Sequence, residues 1–461
     1  MASQKDLVVL LPGITGSVLS RRKGNGKVED LWGVSGSALW GALRTLGKSI
    51  KELELSDDND DDGVFASRLV ADATIIPKLW KIDGYTVPAN YIVNLGYQRG
   101  ENFFEFPYDW RRDNRIAARQ LQDTAMSWLA EWRTKSGAAD ARLILVGHSM
   151  GGLVSRYFLE CLGGWEHTRA LFTFGTPHRG SLNALDFLVN GMKKGVGPVA
   201  LDVSALLRSL TSVYQLLPHY PCIESDSGMV KVAAAAESGM LSQHVKHDRA
   251  VASAAFYEEI IACQKANAQN DRYRDKGYRV HPIVGIEQPT NQSARINGAI
   301  MELLPAYQGK DQGGDGTVPR VSAIPLELSE AGGEIFAADR HASLQNEPGV
   351  LANVKGILTR TEVDLRSFRD EVPITLSLDL EDLYLATEPV VIRALPAEKQ
   401  PRLVAHVTNL ESGATDEIEF GRADGRWQQA EAELPPGSYR VTVDAEGVQP
   451  VTDLFTVDEG M

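Results

Sequence analysis

Cysteine is scarce in this chain: three in 461 residues. Cys161, Cys222 and Cys263 are widely spaced and form no C-x-x-C pair. They frame neither a disulfide network nor a zinc site, and they fit reduced core thiols of a cytoplasmic protein. Long apolar runs are also missing. No stretch approaches the roughly twenty apolar residues needed to span a bilayer. Met1 to Asp6 lead straight into an apolar strand with no cleavage region, so a secretory leader is not expected. Positive charge is short as well, with 47 Lys and Arg against 61 Asp and Glu and a net charge of −14. The imbalance is uneven: residues 371–461 hold 6 basic and 18 acidic residues, and so 12 of those 14 net negative charges. Nucleic acid is not expected as a partner, and no polybasic cluster offers an electrostatic route to anionic lipid. No internal repeat is visible.

What is present is organised around 142–162. Arg142 to Val146 is a short apolar run, the pattern of a strand buried on both faces. Gly147-His148-Ser149-Met150-Gly151-Gly152 follows, and from Leu153 the apolar positions take helical spacing. The turn matches G-x-S-x-G, the nucleophile elbow of α/β-hydrolases. A serine at the tip of so tight a turn leaves no room for side chains beside it. Gly147 and Gly151 remove the Cβ atoms that would collide with the helix and the neighbouring strand.

The rest of the chain supplies what such a serine needs. Leu7 to Leu11 reads as the first buried strand. The loop Pro12-Gly13-Ile14-Thr15-Gly16-Ser17 after it lacks the G-K-[ST] of a phosphate loop. It is the place for an oxyanion-hole amide, so the amides of Ile14 and Met150 are the expected pair of donors. Further strands are expected at 103–106, 170–174, 278–285 and 335–338, with a helix over 116–132. Asp315 lies in a Gly-rich turn after a strand, and His341 follows the last strand. The order serine, acid, histidine is that of α/β-hydrolases. Asp311 and Asp339 compete with Asp315 for the acid, but Asp339 stands too near His341 in sequence to orient it. His178, in the turn Gly175 to Ser181, is a weaker candidate base.

Between 182 and about 276 the sheet pattern gives way to helical stretches, read as an inserted cap. Leu201, Leu207, Leu210, Tyr214 and Leu217 are expected to roof an acyl pocket. In the acidic run Ser56 to Gly63, Asp58, Asp60, Asp62 and Gly63 resemble the first half of a calcium loop, but Leu69 stands where the bidentate glutamate belongs. The run reads as a self-repelling solvated loop. In the tail, 374–380, 390–394, 403–409, 416–420, 427–434 and 439–444 read as strands of a β-sandwich. The expected fold is thus α/β: a hydrolase domain over 1–370, its mostly parallel sheet doubly wound, with the helical cap, and an acidic all-β domain over 371–461. All the site residues named lie before 371. A chain ending near Asp370 is therefore expected to fold and to cleave a short soluble ester. The tail's role is either structural or the docking of a protein partner.

Together, Gly-His-Ser-Met-Gly-Gly (147–152), Pro-Gly-Ile-Thr-Gly-Ser (12–17), Tyr-Asp-Trp-Arg (108–111), Asp-Gly-Thr-Val-Pro (315–319) and His341 resemble the lecithin:cholesterol acyltransferase family over about 6–360. The resemblance implies lipid acyl-ester hydrolysis or transfer without cofactor or metal. It supports Ser149, Asp315, His341 and the amides of Ile14 and Met150. Secreted members carry disulfides and signal sequences, so their acceptor preference is not carried over. Thr-Pro-His-Arg-Gly (176–180) is also shared with soluble bacterial lipases. A lipid or other acyl ester is the expected substrate, with a transient apolar contact between cap and membrane. Two rival readings are a general carboxylesterase and a non-catalytic binding protein on a hydrolase scaffold.

Overall fold

A computed structural model describes residues 4–24, 26–33, 51–71, 74–76, 80–194, 201–226, 228–241, 244–297, 300–328, 334–359, 375–396, 402–422, 427–445 and 448–458. Its centre is a sheet of six strands: β1 (Leu7–Leu11), β2 (Phe103–Glu105), β3 (Leu143–His148), β4 (Thr168–Phe174), β5 (Arg279–Gly285) and β6 (Ile335–Ala337). They lie in the order β6-β5-β4-β3-β1-β2, and every pairing is parallel. A parallel sheet must be covered on both faces, and the alternation of side chains provides for it. Leu7, Val9, Leu11, Leu143 and Leu145 enter one core, and Val8, Leu10, Ile144 and Val146 enter another. The first core continues into the helices Asn114–Ser136 and Met150–Cys161 and on into the cap. The second is closed by the helices Thr86–Asn94 and Pro348–Thr359. Asn114–Ser136 has local reasons for its ends: the Asp113 carboxylate accepts from the Arg115 amide, and Gly137 turns out of the helix at φ 72°.

The cap has the expected helices but is not helical throughout. The long stretch is His247–Asn267, while the apolar run from 201 breaks into Ser204–Ser209 and Thr211–Tyr214. Leu201 lies in a two-residue strand, Leu201–Asp202, paired with Lys193–Lys194. A four-stranded sheet also forms, in which Ile223–Ser225 pairs with Gly228–Val230 and with Ser293–Asn297, itself paired with Ile300–Leu304. Two of those strands come after β5, so the cap draws on chain from both sides of a core strand. Strands this short have no periodic signal of their own, and the pairing that joins their two hairpins, Ile223 with Ala294, spans 71 residues.

The tail forms two facing sheets around its own core, which includes Leu378, Ile392, Val407, Val441 and Phe455. The six expected strands are present, within the described residues. Three were not foreseen: Leu383–Leu385, Gly421–Arg422 and Val451–Asp458. The last is an inner strand of the five-stranded sheet. Its run Asp453 to Val457 is buried without alternation, because both of its faces are covered. The boundary at 370/371 lies outside the described residues.

Candidate active site

The elbow is as tight as its glycines suggest. Ser149 caps the helix Met150–Cys161 at φ 50° and ψ −122°, a left-handed backbone that costs a non-glycine residue about 1–3 kcal/mol. Its amide donates to the Phe174 carbonyl at 2.8 Å, which ties the turn to β4. A Cβ on Gly147 would stand 2.8 Å from the Gly152 nitrogen, and one on Gly151 would stand 2.5 Å from the Pro12 carbonyl oxygen. Gly152 is as necessary: its Cβ would lie 2.0 Å from Thr176 Oγ1.

Three side chains separated by up to 192 residues meet in one line. The Ser149 hydroxyl donates to His341 Nε2 at 3.0 Å. His341 Nδ1–H donates to Asp315 Oδ2 at 2.7 Å. The other oxygen, Asp315 Oδ1, accepts from the amides of Thr317 at 2.9 Å and Val318 at 2.7 Å. Backbone registers the pair again, with the His341 amide on the Asp315 carbonyl at 2.9 Å. Asp315 and not its rivals faces the histidine. Asp339 accepts from the amides of Arg340 and Thr452, and Asp311 from the Gln292 amide group and the Gly313 amide. Sequence reasoning missed two glycines that make room for this pair. A Cβ on Gly175, whose φ is +54°, would lie 2.8 Å from both Asp315 Oδ2 and His341 Nδ1; one on Gly285 would lie 2.3 Å from the Asp315 Cβ. His178 is elsewhere. It is half-buried beside Thr173, and desolvation, then the nearby Arg156 charge, holds its imidazole well below the usual range.

The Pro12–Ser17 loop is held from several directions. Tyr108 Oη donates to the Pro12 carbonyl at 2.9 Å, Trp32 Nε1 to the Thr15 carbonyl at 2.9 Å, and Trp110 Nε1 to the Ser17 carbonyl at 3.0 Å. This is what Tyr-Asp-Trp-Arg does: its two aromatic residues fasten both ends of the loop beside the nucleophile. The Gly13 amide donates to Tyr85 Oη at 2.8 Å. The amides of Ile14 and Met150 have no acceptor among the described residues, as expected of a helix's first N–H in the case of Met150. A Cβ on Gly13 would approach the Ser149 Cβ to 2.9 Å, so this loop lies against the nucleophile.

His148 completes the frame behind Ser149. Because Tyr85 Oη accepts from Gly13, its own hydrogen goes to His148 Nδ1 at 2.8 Å. The remaining ring nitrogen, Nε2, then donates to the His341 carbonyl at 3.1 Å. That sequence needs a neutral imidazole, and burial, with the neighbouring His341, lowers the His148 pKa to about 3. Nothing in the local sequence points to Tyr85, which reaches the site from the start of a distant helix.

Ser149 opens into a cavity of about 310 Å³ walled by Ile14, Phe187, Val213, Leu216, Leu303 and Val318. Cap residues therefore do face it, but not those expected. Leu207, Leu210, Tyr214 and Leu217 are buried in the main core without reaching the cavity, while Val213 and Leu216, each one residue earlier than an expected one, are buried in the same core and also line the cavity wall. The acidic run is mostly exposed, at Asp57, Asn59, Asp60 and Asp61, but two of its carboxylates are tied to the fold. Asp62 pairs with Arg111 at 2.7 Å and Arg112 at 3.1 Å, and Asp58 accepts from Thr211 Oγ1 at 2.6 Å. Arg111 is fully buried and also pairs with Asp109 at 2.7 Å. The two arginines after Trp110 thus anchor the run at Asp62, and among the described residues no cluster suits a metal ion. No helix among them is long and apolar enough to cross a membrane.

Comparison with known proteins agrees with this geometry. A model of the family described as lecithin:cholesterol acyltransferase matches residues 76–288. The chain is 25% identical over 244 residues to phospholipase A(1) LCAT3 of Arabidopsis thaliana, covering 48% of this chain and 52% of that one. It is 30% identical over 138 residues to lysosomal phospholipase A and acyltransferase of Homo sapiens, covering 28% of this chain and 31% of the relative. The matches thus span about half the length of the curated relatives or less. The crystal structure of the Tle4-Tli4 complex contains a chain of similar fold, with a TM-score of 0.52 at 15% identity, over 77% of this chain and 98% of that chain.

Proposed function

We propose that this chain, whose matches support the lecithin:cholesterol acyltransferase-like α/β-hydrolases, is a serine enzyme of lipid acyl esters, a lipase or phospholipase or an O-acyltransferase. The observation that carries the reading is the unbroken hydrogen-bonded line Ser149–His341–Asp315 at the floor of a cavity with an apolar wall at Ile14, Phe187, Val213, Leu216 and Leu303 and polar groups such as Asn183, Asp186 and Arg340 elsewhere. In this reading His341 takes the Ser149 proton as the oxygen attacks the ester carbonyl. Asp315 orients the imidazole and stabilises its charged form. The amides of Ile14 and Met150 hold the oxyanion, each worth about 10²–10³ in rate. His341 returns the proton to the departing alcohol, leaving an acyl-serine that water or a second alcohol releases. Side chains and amides carry every step.

A long acyl chain is the proposed cargo. At about 310 Å³ the cavity is small for a ligand site, so it suits an acyl chain whose head group stays outside. Each methylene it buries contributes roughly 0.8 kcal/mol. The names of the plant and human relatives, a phospholipase and a phospholipase with acyltransferase activity, support the same class. Ile300 on the cap sheet, 69% exposed, suits a transient apolar contact with a lipid surface. A division near residue 370 belongs to the proposal too, supported by the tail's separate core.

The test is labelling by a fluorophosphonate together with turnover of acyl esters. The protein should label, and Ser149→Ala should abolish labelling and turnover with its melting temperature nearly unchanged. Long-chain esters in lipid vesicles should be cleaved in preference to acetyl esters, and this should survive high salt, which screens only charge. Activity highest on acetyl esters and absent on vesicles would leave a general esterase; no labelling at all would leave a binding protein. An added alcohol acceptor that turns fatty acid into ester product would identify a transferase.

A further inference from the structure

The acid and the base of this site stand on loops that the acidic tail touches, whereas the nucleophile does not. His341 follows a three-residue edge strand, β6, which gives its loop little support of its own. The tail supplies contacts instead. Arg340, the residue before His341, donates through Nη2 to the Leu378 carbonyl, and its Nε lies 3.3 Å from Asp453 Oδ2. The Thr452 amide donates to Asp339 Oδ1 at 3.3 Å. On the other side of the loop the Asp83 amide holds the Ala342 carbonyl at 3.1 Å, while the Asp83 carboxylate pairs with Arg440 of the tail. Two ion pairs of opposite sense therefore cross to the tail, Arg340 with Asp453 and Asp83 with Arg440. Asp453 and Asp83 are both buried, and buried pairs of this kind are costly to break one-sidedly.

The acid loop is braced in a second way. The Gln288 amide donates to the Gly314 carbonyl at 3.0 Å, next to Asp315. The Gln288 side chain then joins the tail at both ends: Nε2 donates to the Leu376 carbonyl at 3.3 Å, and Oε1 accepts from the Leu378 amide at 3.3 Å. A carboxamide so placed continues the hydrogen bonding of the strand Leu376–Asp379. The tail also reaches the cavity, where Asp382 and Asp453 stand with Arg340 in its wall.

We infer that the C-terminal β-sandwich is a working part of the site, which sets the acid–base pair against the nucleophile, with Arg340 and Asp453 as its positioning residues. The inference rests on the proposed serine mechanism. It also revises the expectation that a chain ending near Asp370 keeps its activity, since that chain would lose Asp453, Thr452, Arg440 and Leu378 at once.

The test is a double-mutant cycle in the full chain, with Arg340→Met, Asp453→Asn and both together. Each single change should lower kcat and the rate of fluorophosphonate labelling by about tenfold, with KM within about twofold. The double variant should be no slower than the slower single one, because the two groups act as a unit. Arg340→Lys should recover part of kcat. Should Asp453→Asn fail to fold, Arg440→Gln loosens the same loop from a half-exposed position and should slow labelling in a folded protein. Labelling of the singles at the parent rate, or effects that multiply in the double variant, would overturn the inference while leaving the serine mechanism intact. Failure of the parent itself to label would remove the mechanism first.

Discussion

The proposed nucleophile and the proposed acid–base pair are held by different means. Ser149 sits between β3 and its following helix, and the glycines that clear its space, Gly147, Gly151 and Gly152, lie within three residues of it, while Phe174 of the adjacent strand takes its amide. His341 and Asp315 stand on loops at the edge of the sheet, and their supports come from residues 175, 285, 288, 378 and 453. The first arrangement is a rigid local motif, and the second is an assembly of distant parts. A site built this way fixes its most strained atom locally and leaves the proton-transfer geometry to tertiary packing.

The largest test of that contrast is the acid. Asp315→Asn should lower turnover by up to about 10⁴, whereas Asp339→Asn, which keeps an oxygen for the Thr452 amide, should lose less than about tenfold. The reverse order in steady-state assays would move the acid to Asp339. Gly175→Ala comes next. Its methyl would push on both partners of the Asp315–His341 bond, and a displacement of about 1 Å costs on the order of 10² in rate. Gly152→Ala should instead show first in the melting temperature, because it wedges the elbow helix from Thr176. If Gly175→Ala were fully active, the packing about the acid would matter less than the contrast requires.

Tyr85→Phe tests a second link between the two halves, besides the Ser149–His341 bond, since the Tyr85–His148 chain runs from the Gly13 amide to the His341 carbonyl. Turnover should fall about tenfold, in kcat more than in KM; an unchanged kcat would show that the loop stands without it. The smallest effect is on stability. His148 has its pKa lowered to about 3 by burial, so the folded protein disfavours its charged form. That contribution is fully present above the unfolded value of about 6.5 and is lost as pH falls toward 3. Between pH 7 and pH 5 it removes about 2 kcal/mol. His281, lowered to about 4 by burial and by the Arg279 and Arg169 charges, adds to the same trend. Denaturant unfolding of His148→Gln at the two pH values should show a loss smaller than the parent's by about that amount. An equal loss would mean that His148 is charged in the folded state.

The amino-acid sequence by itself determined the elements whose causes are local. The alternation in 7–11 and 143–146 specified a sheet covered on both faces, the glycines about Ser149 specified the elbow, and chain order singled out an acid and then a histidine. Each of these follows from residues a few positions apart, through sterics or periodicity. Only the tertiary structure decided which cap residues face the cavity, since Val213 and Leu216 share one core with Tyr214 and Leu217 and yet they alone of the four border the cavity. It also turned the acidic run into a clasp for Arg111 and Arg112, because the compensating charge lies some fifty residues away. The strand Val451–Asp458 escaped notice for a related reason. Burial on both faces erases the alternation that marks a half-exposed strand, and what covers it is the rest of the folded chain, against the loop that carries His341.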